Sequence, residues 1–198
     1  MSRPDRVAVI VFPNVTIHVP SVGEVPYIGH AAVLLVRGDD GLTKYYEFGR
    51  YPNPPQPQED GVVRNCVVPD IAIDANGELD QESLRATYRK ISTQSGKSTD
   101  IKSVMFPAAG QFDAGMTWCE ARLALNADAT RSKYSPLTNN CCHFAASAAS
   151  QMVNVAMKAV LAVIDPIPHG YITTLQLLSV PLPNVHNIDY DYGRDTLS

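Results

Sequence analysis

Between Tyr134 and Ala145 the chain reads Tyr-Ser-Pro-Leu-Thr-Asn-Asn-Cys-Cys-His-Phe-Ala, a turn signal running directly into two adjacent thiols. Pro136, Thr138, Asn139 and Asn140 are turn and N-cap formers, and residues 144–157 contain no Pro or Gly, so the pattern predicts a helix with Cys141 at or next to its N-terminus. At that position the first-turn N–H groups and the helix dipole favour an anion, and a thiol loses its proton more easily than a free cysteine does. The thiolate is the nucleophilic form, and the same N–H groups could donate to the oxyanion of a tetrahedral intermediate. Taken alone, Cys141 and Cys142 also fit small apolar residues packed into a buried helix start.

A base for such a nucleophile is offered by an earlier segment. The run Tyr27 to Arg37, the turn Gly38-Asp39-Asp40-Gly41 and the run Leu42 to Tyr51 predict a β-hairpin. With the turn centred on Asp39-Asp40, partners have numbers summing to 79, which sets His30 near Gly49 and one diagonal step from Glu47. An imidazole oriented by a carboxylate is the arrangement by which a cysteine hydrolase holds its base in the right tautomer. Each residue alone also reads as an ordinary strand residue.

The elements around these residues are those of a mixed α+β chain. Val7 to Phe12 predicts a strand, followed by a short second strand through Val15, Ile17 and Val19. Pro52 to Pro57 and the acidic Glu59-Asp60-Gly61 form a stiff Pro-rich loop, suited to a flap over a cleft. Val62 to Pro69 predicts a strand with Cys66 as a core thiol, Leu79 to Thr93 a helix capped by Asp80, and Ile101 to Phe106 another strand. Asp113 to Ala129 predicts a helix whose core face carries Met116, Cys119 and Leu123. The helix after Cys141 is expected to continue to about Ile164, His169 to lie in a turn, and residues 181–198 to form a docking or poorly packed tail.

Composition narrows the function classes. At 198 residues, 45% hydrophobic and 18% charged, the chain fits one globular domain over residues 1–198. A net charge of -4 with scattered Lys and Arg argues against a nucleic-acid partner. The apolar runs are too short to span a bilayer, and no Sec-type signal peptide opens the chain. Four widely spaced cysteines and five scattered histidines supply neither a disulfide framework nor zinc-ligand spacing, so neither a metal nor a cofactor is expected.

Gly29-His30 opening an apolar strand, a polar residue in the partner strand, and Asn140-Cys141-Cys142-His143-Phe144 at a later helix start together resemble the circularly permuted papain-like (NlpC-like) cysteine hydrolases. In that group the His strand precedes the Cys helix, as here. Its lecithin:retinol acyltransferase-like members carry the motif Asn-Cys-x-His-Phe, which residues 140–144 match. The resemblance implies an antiparallel sheet packed against helices, with Cys141 as nucleophile, His30 as base and Glu47 as third residue. Asn140, Cys142 and Tyr27 are expected around the substrate or oxyanion. Glu47 stands where those acyltransferases usually carry a second His, and no stretch reads as their C-terminal membrane anchor; both departures point to the bacterial branch. That branch includes peptidoglycan hydrolases and amidase toxins delivered by type VI secretion. The implied activity is a cysteine amidase or endopeptidase cutting peptidoglycan stem peptides in a target-cell periplasm after synthesis in the cytoplasm, with an immunity protein as partner. The alternatives are a lipid acyl hydrolase or acyltransferase of the same fold, or a non-catalytic binding module.

Overall fold

Two wholly apolar segments, Val7–Phe12 and Ala31–Val36, become the middle of a sheet. The computed structural model describes residues 3–19, 23–26, 28–51, 61–108, 110–163 and 165–198. Its strands are β1 (Asp5–Phe12), β2 (Ile17–Val19), β3 (Gly23–Val25), β4 (His30–Val36), β5 (Thr43–Gly49), β6 (Val62–Cys66), β7 (Ile101–Ala108), β8 (His186–Asp191) and β9 (Thr196–Leu197). Its helices are α1 (Gln81–Gln94), α2 (Phe112–Ala124), α3 (Cys141–Ser150), α4 (Val155–Leu161) and α5 (Pro168–Ser179). Among the described residues seven strands form one antiparallel sheet in the order β6-β5-β4-β1-β7-β8-β9, and β2 pairs with β3.

Helices cover both faces of the sheet, which is why β1 and β4 lack the polar alternation of a half-solvated strand. Val7, Val9, Val11, Ala31, Val33 and Leu35 point to one side, where they pack with α2, α3, α4 and α5. Ala8, Ile10, Phe12, Ala32, Leu34 and Tyr45 point to the other, against Leu84, Tyr88 and Ile91 of α1. The mixed α+β class with an antiparallel sheet packed against helices is therefore as expected. The hairpin has the expected register too: Ala32 lies opposite Glu47, and Val36 opposite Thr43. Asp80 caps α1, its carboxylate accepting the Ser83 N–H.

Four expectations need correction. The helix after Cys141 does not run on to Ile164. It breaks after Ser150, and Asn154 caps a separate α4 by accepting the Met157 N–H. The break turns Met152 and Val153 into the core, where Met152 fills the space that a Cβ on Gly115 would need. His169 lies in the first turn of α5, not in an isolated turn, because Pro168 takes the first helical position, where its missing N–H is not required. Gly170 continues that helix, and the Asp165 carboxylate occupies the space that a Cβ would take.

Residues 181–198 are not a poorly packed tail. They supply β8 and β9, an edge ladder on β7. Tyr190 is buried against the Tyr88 ring, and Asp195 accepts from the Tyr190 hydroxyl while forming ion pairs with Arg85 and Arg89 of α1. The polar Asn187, Asp189 and Asp191 are alternate residues of β8, which pairs with β7 along its length and on its other side only with the short β9. Cys66, expected in the core, is half-buried.

Asp5 ties three elements together. Its buried carboxylate accepts the Gly38 N–H of the hairpin turn and the Phe112 N–H at the start of α2, both at 2.8 Å. Replacing Asp5 by Ala leaves two buried N–H groups unpartnered, and we expect a loss of about 2–3 kcal/mol, read as a lower midpoint in urea unfolding with an unchanged slope. A midpoint within error of wild type would remove this tie from the account.

Candidate active site

The site is built where the N-terminus of α3 meets the start of β4. Asn140 is the α3 N-cap, with extended backbone and its Oδ1 accepting the His143 N–H at 3.1 Å. The same Oδ1 accepts from Nδ1 of His143 at 2.8 Å, while Nδ2 donates to the carbonyls of Pro136 and Pro166. Asn140 is 1% exposed, so its side chain is wholly used in pinning the preceding turn and the segment before α5 to the helix start. Cys141 and Cys142 follow as the first two residues of α3, 3% and 0% exposed.

His30 and Glu47 stand on the neighbouring strands β4 and β5. Nε2 of His30 lies 3.1 Å from Oε2 of Glu47 and 2.9 Å from the Tyr51 hydroxyl. Both contacts use one ring nitrogen, so Nδ1 is the one left for Cys141. The ring lies flat against Phe12, 6.2 Å between centroids at 9°, and edge-on to Tyr51. Glu47 is fully buried, and its carboxylate also accepts from the Tyr45 hydroxyl at 2.9 Å and from Nε and Nη2 of Arg64. The Arg64 guanidinium in turn lies 3.4 Å from the centroid of the Tyr51 ring.

These contacts move the titrations in complementary directions. Hydrogen bonding from the Cys142 thiol, opposed by burial and reinforced by His30 and the Ala31 N–H, holds Cys141 well below the usual thiol range. The Cys142 thiol is pushed far up by donating to Cys141 and by burial. Burial would depress His30, but hydrogen bonds to Cys141 and Glu47 and the charges of both outweigh it and raise the ring to about 10. Burial would raise Glu47, but His30 and Arg64 outweigh it and bring the carboxyl down to about 2. The arrangement therefore favours a Cys141 thiolate facing a His30 imidazolium.

Of the residues expected from the sequence, Cys141, His30 and Glu47 come together, with Asn140 and Cys142 beside them. Asn140 spends its polar atoms on the turn, and Cys142 points into the core as a donor to its neighbour. Tyr27 and the Pro-rich segment 52–60 lie outside the described residues. Sequence reasoning missed Tyr45, Tyr51 and Arg64, and also Tyr134, whose hydroxyl interacts with the Cys141 side chain. Tyr45 was within reach, two residues from Glu47 on one strand face. Arg64 lies directly across from Glu47, but the register of β5 with β6 follows a long connection that no short turn sets. Among the described residues no group of three or more His, Cys, Asp or Glu side chains is placed to hold a metal ion, and no helix is long and apolar enough to cross a membrane.

The profile of the family described as "Type VI secretion system effector TseH-like" matches residues 7–157, a span that includes His30, Glu47 and Cys141. The chain belongs to this TseH-like family of type VI secretion system effectors. It is also similar to the crystal structure of the type VI secretion system effector TseH, with a TM-score of 0.82 and 28% identity over 100% of this chain and 98% of that one. A comparison with curated proteins found no match.

The buried carboxylate makes stability depend on pH in a defined direction. Its pKa falls from 4.5 to about 2 on folding, so its stabilisation is present above about 4.5 and is lost as pH falls toward 2. Urea unfolding of wild type and Glu47→Gln is expected to show a gap at pH 6 that shrinks by roughly 2–3 kcal/mol near pH 2. A gap of the same size at both pH values would mean that Glu47 is not held ionised by its neighbours.

Proposed function

We propose that this chain is a cysteine amidase or endopeptidase of permuted papain-like fold, a single domain acting as an antibacterial effector on the peptide bonds of peptidoglycan. The observation that carries the reading is the Cys141–His30–Glu47 line, with a thiol held low, an imidazole held high and a buried carboxylate behind it. The order of its parts, His strand before Cys helix, supports the permuted arrangement. Membership in the type VI effector family supports delivery into a target cell; a peptidoglycan substrate would place the action in the periplasm, and an immunity protein that covers the cleft would protect the producer.

In the proposed reaction the Cys141 thiolate adds to the scissile carbonyl carbon. The N–H groups of Cys141 and Cys142, in the α3 first turn where no intrahelical acceptor exists, would hold the oxyanion. The His30 imidazolium then gives its proton to the departing amine nitrogen, the C–N bond breaks, and an acyl thioester remains on Cys141. His30, now neutral, takes a proton from water; the hydroxide adds to the thioester, the C–S bond breaks, and the acid leaves with thiolate and imidazolium restored. Glu47 keeps Nε2–H as the donor to its carboxylate, leaving Nδ1 to exchange the proton with sulfur and leaving group.

One observation favours a second reading, a lipid acyl hydrolase or acyltransferase. Leu137 and Ile167, 71% and 51% exposed, follow the two prolines whose carbonyls Asn140 holds, forming an apolar rim that an acyl chain could cover.

Two measurements test the proposal. At pH 6 iodoacetamide is expected to label Cys141 about 100-fold faster than Cys66, and His30→Ala to remove most of that difference. Purified peptidoglycan sacculi incubated with wild type are expected to release stem-peptide fragments that are absent with Cys141→Ala. A reactive Cys141 with intact sacculi and released fatty acid from phospholipid vesicles would transfer the proposal to the lipid reading; an unreactive Cys141 in folded protein would leave a binding module.

A further inference from the structure

Arg50 directly follows β5 and precedes Tyr51, the residue whose hydroxyl touches His30. Its guanidinium carbon lies 5.0 Å from the centroid of the Tyr134 ring, and the Tyr134 hydroxyl interacts with the Cys141 side chain. The cation thus sits one aromatic ring away from the nucleophile. Six arginines meet carboxylates: Arg6 pairs with Glu78, Arg37 with Asp40, Arg64 with Glu47, Arg85 and Arg89 with Asp195, and Arg194 with Asp191, while Arg122 stacks on Trp118 and Arg131 donates to backbone carbonyls. Among the described residues Arg50 has no such partner, and its Nε is a buried donor without any hydrogen-bond acceptor.

A buried donor left unpaired carries an unrecovered desolvation cost, and an arginine without a carboxylate gives up the bidentate pairing to which its planar fork is suited. Stacking on Tyr134 holds the guanidinium in place without using its N–H groups. The neighbouring cation cannot substitute for it, since Arg64 is already committed to both Glu47 and the Tyr51 ring. A half-buried, pre-positioned fork beside a nucleophile, with no carboxylate partner among the described residues, is an arrangement that an incoming carboxylate would complete.

We propose that Arg50 is a specificity-determining residue that binds a carboxylate of the substrate next to the bond attacked by Cys141. The inference rests on the reading of Cys141 as the nucleophile and narrows the substrate class to acyl compounds bearing a free carboxylate near the scissile carbonyl. Peptide stems with free carboxyl groups meet that requirement, whereas neutral acyl lipids do not.

The test needs no knowledge of the natural substrate. Iodoacetate and iodoacetamide alkylate a thiolate by the same displacement of iodide, and only the first carries a carboxylate. The ratio of their rates at Cys141, followed by peptide mass analysis, is measured for wild type, Arg50→Gln and Arg50→Lys, with folding checked by circular dichroism. The expected result is a ratio about tenfold lower in Arg50→Gln, partly restored in Arg50→Lys, with the difference persisting at about 0.5 M salt because a contact pair is screened far less than a distant field. A ratio that does not depend on Arg50, or a difference that vanishes at high salt, overturns the carboxylate site while a fast-reacting Cys141 leaves the nucleophile reading standing. A Cys141 no more reactive than Cys66 toward either reagent overturns the nucleophile reading, and this inference with it.

Discussion

The structure around the site depends on one buried charge. The Glu47 carboxylate has no exposed surface, and an ionised carboxylate in such a place is tolerated only when cations and hydrogen-bond donors surround it. Those groups come from three adjacent strands: His30 from β4, Tyr45 from β5 beside Glu47 itself, and Arg64 from β6. Because side chains alternate across a strand, a slip of one residue in β5 would carry Glu47 to the opposite face of the sheet and leave His30 and Arg64 without it. The register of the sheet and the ionisation of the site are therefore a single constraint.

The other half of the site follows from how closely α3 can approach the sheet. Ala145, Ala148 and Ala149 of α3 pack in the same core as Ala31, Val33 and Leu35 of β4. Small side chains on the helix let its start reach the strand end, where the Ala31 N–H meets the Cys141 sulfur. Asn140 then sets the direction of that start, since its cap and its two carbonyl contacts hold the turn, the helix and the segment before α5 in one arrangement. Positive ends of dipoles, a thiol donor from Cys142 and the imidazolium of His30 converge on the same sulfur.

Membership in the TseH-like effector family and the likeness to TseH over the whole chain agree with this architecture. The edge strands β8 and β9, which lie beyond the span matched by the family profile, complete the sheet on the side away from β6 and close the α1 core through Tyr190 and Asp195.

What the sequence by itself determined was whatever short-range rules control. The Gly-Asp-Asp-Gly turn dictated the pairing of β4 with β5 and hence the meeting of His30 with Glu47, and the cap residues before Cys141 dictated a helix start at that thiol. Long-range packing decided the rest. The break at Gln151–Asn154 exists because Met152 and Val153 turn into the core, α5 begins at Pro168 because Tyr171, Ile172 and Leu175 have a sheet face to cover, and the polar C-terminal residues become a strand only because β7 offers an edge. The pairing of Arg64 with Glu47 and the placing of Arg50 over Tyr134 bring together residues from segments far apart in the chain, and no local pattern carries that information.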